Sequence, residues 1–187
     1  YTFGYNNEGL LDTVTDAFAN TTTIGRNGSG FATSIVAPGG QVTTLTPDSF
    51  TGDLLAMENP AGEEYAFEYT SGGLLVSMTD PRNNPWTYRY DADGYLVGDE
   101  DPLEEEQTLL RTSTESGYEV VHTSAEGRKT TYALSEGADG VQSQIITGPN
   151  GLPVTSDVSP AGVTTTTFPN GTLVMRTAKP DPRFGMT

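Results

Sequence analysis

The residues with most chemical potential crowd residues 90–106, where Asp91, Asp93, Asp99, Asp101, Glu104, Glu105 and Glu106 fall close together. Hard carboxylate oxygens at that density suit calcium, and Asp99, Asp101 and Glu104 are the candidate ligands of a weak site. The offsets are not those of an EF-hand loop, which needs a central glycine and a terminal glutamate, and Pro102 restricts how the backbone can wrap an ion. A solvated acidic turn fits the spacing better. His122, in YEVVHTS, is the single histidine, which leaves no basis for a transition-metal centre. Nothing around it reads as the strained strand-to-helix turn that presents a nucleophile. Carboxylates are plentiful enough for a glycosidase-type pair, yet they recur at turn positions instead of breaking a pattern. The sequence therefore reads as a non-enzyme.

Composition narrows the partners. The chain carries 25 acidic and 9 basic residues, a formal net charge of -16, which repels phosphate backbones and anionic membrane surfaces alike. No apolar run approaches the roughly 20 residues of a spanning helix. With no cysteine, disulfides, iron–sulfur clusters and thiol catalysis all drop out. A length of 187 residues suffices for one domain with a sizeable core or for part of something larger. The 22 glycines and 12 prolines interrupt every candidate helix, and threonine runs at 21–23 and 164–167 favour strands.

The positioning elements emerge from the glycines. Gly9, Gly30, Gly52, Gly73 and Gly94 are spaced 21, 22, 21 and 21 residues apart, each followed by large or apolar residues such as Leu10, Phe31 and Tyr95. A second series, Pro38, Pro60, Pro81 and Pro102, keeps nearly the same interval, with Ala37, Asn59, Asp80 and Asp101 before the prolines. Between proline and glycine lie aromatics at alternate positions: Tyr65, Phe67 and Tyr69, then Trp86, Tyr88 and Tyr90. A spacing of two sets them on one sheet face.

Each unit thus reads as strand, turn, strand, turn. Asp91 and Gly94 are assigned to one hairpin turn, Asp80 with Pro81 and Asp101 with Pro102 to the opposite one. Apolar residues two and five positions after each glycine, Leu11 and Val14 or Leu75 and Met78, differ in parity, which a bulge near the turn reconciles. The expected fold is all-β, a repetitive antiparallel hairpin meander or β-solenoid. Residues 1–105 carry the regular 21-residue repeat, while 106–187 read as a degenerate continuation. There, Gly127, Gly140, Gly151, Gly162 and Gly171 are 13, 11, 11 and 9 residues apart.

The outline Tyr90-Asp91, Gly94, Leu96, preceded by Asp80-Pro81, and Pro60-Ala61-Gly62 leading to Tyr65, Phe67, Tyr69, Gly73 and Leu75, resembles the tyrosine-aspartate (YD, or Rhs) repeat. That family includes rearrangement-hotspot polymorphic toxins, subunits of insecticidal toxin complexes and the barrel of teneurins. The resemblance implies a segment of a spiralling shell, with a non-enzymatic scaffold role in a large secreted or cell-surface bacterial repeat protein. An adhesion module that binds glycan or protein is the alternative. Implied partners are the remainder of the shell or neighbouring subunits, an enclosed toxin, or a cell-surface receptor; no cofactor is implied. The pair Tyr-Asp survives only at 90–91, becoming Tyr-Asn at 5–6 and Tyr-Thr at 69–70. The aspartyl autoproteolysis segment of toxin shells has no counterpart here, so that activity is not carried over. The segment from Pro180 resembles a repeat-array boundary, and the chain reads as a fragment of such an array.

Overall fold

The computed structural model describes residues 1–178; the boundary segment expected from Pro180 lies outside the described residues. These residues form antiparallel strands joined by short turns, without a helix. They divide into two compact units, the first comprising Tyr1–Arg89 with Asp101–Leu103, the second Tyr90–Glu100 and the chain from Glu104 onward.

In the first unit the strands are β1 (Thr2–Tyr5), β2 (Leu11–Thr15), β3 (Thr21–Arg26), β4 (Ala32–Val36), β5 (Val42–Pro47), β6 (Leu54–Glu58), β7 (Glu64–Tyr69), β8 (Leu75–Thr79) and β9 (Pro85–Tyr90). Each pairs with the next in chain order. Directly opposed residues share a face, so the register sorts the side chains. One face carries the cross-strand rows Ile24–Ile35–Thr43, Leu45–Met57–Tyr65 and Phe67–Met78–Trp86. The other carries Gly25–Ser34–Thr44–Glu58–Glu64, small and polar throughout.

The parity problem is resolved by bulges. Gly4 opposes Thr13 while Tyr5 opposes Leu11, leaving Asp12 as an extra residue on β2. The same shift sets Thr33, Leu55 and Val76 apart on β4, β6 and β8. Leu11 and Val14, three residues apart, thereby reach one face, as do Leu75 and Met78.

The second unit contains β10 (Leu96–Glu100), β11 (Glu106–Ser113), β12 (Gly117–Thr123), β13 (Lys129–Glu136), β14 (Gln142–Thr147), β15 (Pro153–Val158), β16 (Val163–Thr167) and β17 (Leu173–Thr177). Their registers run without a shift. Strand lengths vary from five to eight residues in this unit, one physical reason the turn spacing loses its regularity there. The five-residue turns persist: Gly127, Gly140, Gly151, Gly162 and Gly171 all hold φ between 73° and 82°.

Length alone permits a sizeable core, but none forms. Among the described residues no hydrophobic, polar or charged side chain is fully buried. Stabilisation comes instead from neighbours along the sheet: each cross-strand pair contributes about 0.2–1 kcal/mol, and long side chains half-cover one another on the apolar face.

Candidate functional site

The repeated outline consists of two turns and a tether. In the first turn series the leading residue donates its amide to the carbonyl of the fifth, and the glycine in fourth place donates back to the first. At 91–95 these bonds are Asp91 N–H to Tyr95 O at 2.9 Å and Gly94 N–H to Asp91 O at 3.1 Å. Asp91 Oδ1 accepts the amides of Asp93 at 3.0 Å and Tyr95 at 2.9 Å, so the aspartate of the Tyr-Asp pair is a side-chain cap on its own turn. Asn6 and Asn27 accept the equivalent amides through Oδ1, and Thr70 does so through its hydroxyl. This oxygen requirement explains why Asp, Asn and Thr interchange after the tyrosine position.

Gly9, Gly30, Gly73 and Gly94 occupy the fourth place with φ of 77° to 84°, and Gly52 the fifth place of a turn one residue longer, Asp48 to Asp53, with φ of 81°. At Gly52 a second constraint is added, because a Cβ there would stand 2.5 Å from Cε1 of Phe31 in the preceding hairpin.

The opposite turns use the same device. Asp80 Oδ1 accepts the amides of Arg82 at 2.8 Å and Asn84 at 2.9 Å, while Asn84 Nδ2 donates to Asp80 Oδ2 at 2.9 Å. Pro81 fills the next place, where its fixed φ suits the first central residue of a type I turn. Asp16 and Asn20 reproduce the clamp at 2.9 Å. Asp101 Oδ1 accepts the Leu103 amide at 2.8 Å, with Pro102 between them. The left-handed place in these turns falls to Ala19, Asn83 and Glu104, with φ of 63°, 62° and 64°. The clamps depress carboxyl pKa values: Asp16 by the Asn20 side chain and amide, Asp80 by the Asn84 side chain and amide, and Asp48 by the amides of Thr51 and Phe50.

The tether joins successive hairpins. Tyr69 donates its hydroxyl to the Leu54 carbonyl at 3.0 Å. Burial, aided by the negative charge of Asp53, pushes the phenol upward from its ordinary value. Arg26 does the equivalent work: Nη2 donates to Leu11 O at 2.7 Å and Nη1 to Gly30 O at 2.8 Å. Leu11 and Leu54 both stand second after a turn glycine, and both tethers span 15 residues. Arg26 was not a sequence candidate, yet the signal existed: it lies 21 residues after Tyr5, in the repeat's tyrosine place.

Tyr65, Phe67 and Tyr69 are half-buried while Glu64, Ala66 and Glu68 are exposed; Trp86, Tyr88 and Tyr90 alternate in the same way with Pro85, Thr87 and Arg89. The aromatics thus share the apolar face. His122 Nε2 lies 2.8 Å from Gln107 Oε1, an amide contact. Arg111 stands between two rings, its guanidinium carbon 4.3 Å from the Tyr118 centroid and 4.8 Å from that of Tyr95. Among the described residues no group of three or more His, Asp or Glu side chains is gathered as a metal centre requires. Asp99 instead opposes Gln107 in the β10–β11 ladder, while Asp101 and Glu104 serve turn geometry.

Bulged hairpins with capped turns, a half-covered aromatic face and side-chain tethers define a hairpin-repeat protein of the tyrosine-aspartate class. Residues 1–179 match the family model described as Teneurin YD-shell, and the chain belongs to that family. No curated protein matches it in sequence. Among solved structures it is similar to the Photorhabdus luminescens Tc holotoxin pore, at 11% identity over 90% of this chain and 12% of that one, with a TM-score of 0.44. It is also similar to TcdB2–TccC3, at 12% identity over 97% of this chain and 14% of that one, with a TM-score of 0.41. The G-box domain of the microcephaly protein CPAP gives 14% identity over 95% of this chain and 99% of that one, with a TM-score of 0.22. The chain therefore spans 12% and 14% of the first two of these chains.

Proposed function

We propose that this chain serves as a stretch of wall in a YD-repeat shell, a non-enzymatic scaffold belonging to a large secreted or cell-surface bacterial protein. The observation that carries the reading is the pairing of family membership across residues 1–179 with the absence of a buried core among the described residues. A sheet whose side chains cover only one another gains by joining more sheet. Both terminal strands are built to accept it: Phe3 and Tyr5 on β1 are 56% and 64% exposed, and Leu173, Val174 and Met175 on β17 are 63%, 50% and 72% exposed. The partners are accordingly further repeats or neighbouring subunits, with a toxin as enclosed cargo. The regular repeat of 1–105 and its degenerate continuation over 106–187 work as one structural material in this reading. An adhesion role toward a receptor draws on the turn tips, where Phe18 and Phe50 are 88% and 92% exposed.

Hydrogen exchange in the native assembled protein tests the scaffold reading. The amides of β1 and β17 are expected to be protected as strongly as those of interior strands. Free exchange at both edges, together with a sharply melting monomer of the isolated 187-residue chain, overturns it.

A further inference from the structure

We infer that Asn27 is a site of spontaneous deamidation, the Asn-Gly pair at which the fold itself promotes conversion to aspartate and isoaspartate. Asn-Gly occurs at 27–28, 150–151 and 170–171. A following glycine, with no side chain, leaves the attacking backbone nitrogen unshielded at each of them. The turns separate these sites.

Asn150 and Asn170 stand in the third place of their turns, where the nitrogen that would attack is already committed. Gly151 N–H donates to Gly148 O and Gly171 N–H to Phe168 O, both at 2.9 Å. Asn27 stands in the first place. Gly28 is exposed, its amide makes no hydrogen bond among the described residues, and a Cβ built there would meet nothing within 4 Å. The reacting carbonyl differs as well. Asn27 Oδ1 accepts the amides of Ser29 and Phe31, each at 3.0 Å. Among the described residues the same oxygen of Asn150 accepts only the Leu152 amide at 3.1 Å, and that of Asn170 only the Thr172 amide at 3.0 Å. The paired donors at Asn27 sit where negative charge grows on Oδ1 as Cγ becomes tetrahedral, the arrangement of an oxyanion hole. The ring that Oδ1 closes with the Ser29 amide also contains the Gly28 nitrogen, which keeps nucleophile and carbonyl together.

The reaction needs only water. The Gly28 nitrogen gives its proton to hydroxide and its electron pair bonds to Asn27 Cγ; the Cγ–Nδ2 bond breaks, and Nδ2 takes a proton from water and departs as ammonia. Water then opens the succinimide at either carbonyl. Breaking the bond to Cγ leaves aspartate, and breaking the bond to the backbone carbonyl carbon leaves isoaspartate. Aspartate keeps the acceptor oxygen, as Asp91 does in its own turn. Isoaspartate routes the main chain through Cβ and Cγ, lengthening it beside Arg26. That guanidinium holds Gly30 O of the same turn through Nη1 and Leu11 O of the preceding hairpin through Nη2. The modification therefore loosens a tether between hairpins. The inference does not rest on the scaffold reading.

The test is peptide mapping by mass spectrometry of the folded 187-residue chain aged in neutral buffer. Aspartate and isoaspartate together are expected to accumulate at position 27 about fivefold or more faster than at 150 or 170, the factor that one hydrogen bond on the nucleophile is worth. In a denaturant-unfolded sample these rates are expected to converge within about twofold. Isoaspartate is read independently as label transferred from S-adenosylmethionine by protein isoaspartate methyltransferase. The isoaspartate form, separated chromatographically, is expected to melt below the fresh parent, whereas Asn27→Asp is expected to melt with it. Equal rates at the Asn-Gly pairs of the folded chain, or a preference for position 27 that persists unchanged in denaturant, overturns the proposal. An isoaspartate form that melts with the parent overturns its effect on the tether.

Discussion

The hydroxyl of Tyr69 lies 3.0 Å from the carbonyl oxygen of Leu54, a residue of the preceding hairpin. This bond gives the tyrosine of the repeat a task distinct from filling the apolar face. Tyr69→Phe keeps the ring and removes only the tether, at an expected cost of about 1 kcal/mol, or roughly 2–4 °C in melting temperature for a chain of this size. Because the folded phenol titrates above its unfolded value, the stability it confers is complete below about pH 10 and is lost as pH rises through the folded pKa. Melts of parent and variant at neutral and alkaline pH check both statements, and their difference is expected to shrink at the alkaline end.

The turn between β9 and β10 distinguishes a side-chain cap from a backbone requirement. Asp91→Ala removes the acceptor for two amides and is expected to cost about 1 kcal/mol, as loss of an N-cap does. Gly94→Val forces a β-branched residue to φ near 84° and is expected to cost more, about 2 kcal/mol or above. Denaturant titration ranks the two; equal costs would contradict the assignment.

Acid sensitivity follows from the clamps at Asp16, Asp48 and Asp80. Their folded pKa values lie below the ordinary aspartate value of the unfolded chain, about 3.9. The stability they supply is therefore complete above about pH 4 and lost as pH falls through the folded values. Replacing all three by asparagine keeps an acceptor oxygen and removes the titration. The melting temperature of that variant is expected to fall less steeply between about pH 5 and 3 than that of the parent.

The acids at 99–106 separate an ion site from a surface. Changing Glu104, Glu105 and Glu106 together to glutamine is expected to leave the melt within about 0.5 kcal/mol of the parent, the usual range for surface changes. Parent melts in millimolar calcium and in chelator are expected to coincide. A calcium-dependent rise of several degrees that vanishes in the triple variant would restore the metal reading.

Much of this architecture was legible in the residues because it rests on local constraints. Turn glycines must reach positive φ, and alternation at Tyr65, Phe67 and Tyr69 follows from the two-residue repeat of a strand. Even the bulge could be inferred, since Leu75 and Met78 cannot otherwise share a face. What stayed hidden depends on neighbours distant in sequence or on equivalence of function across residue types. Arg26 performs the tether with a guanidinium in place of a phenol, so a search for tyrosine passes over it. Ala19 and Glu104 sit at a left-handed φ that their side chains disfavour, imposed by ladder bonds on either side of the turn.

Each tether reaches back 15 residues, less than the 21 or 22 that separate successive turn glycines. Both tethered hairpins therefore draw their acceptor from the immediate predecessor. An in-frame duplication of the period between Leu54 and Tyr69 leaves each copy's Tyr69 donor facing a Leu54 carbonyl. Such an array can lengthen or shorten during evolution by unequal recombination between its own copies, with each intermediate still able to fold.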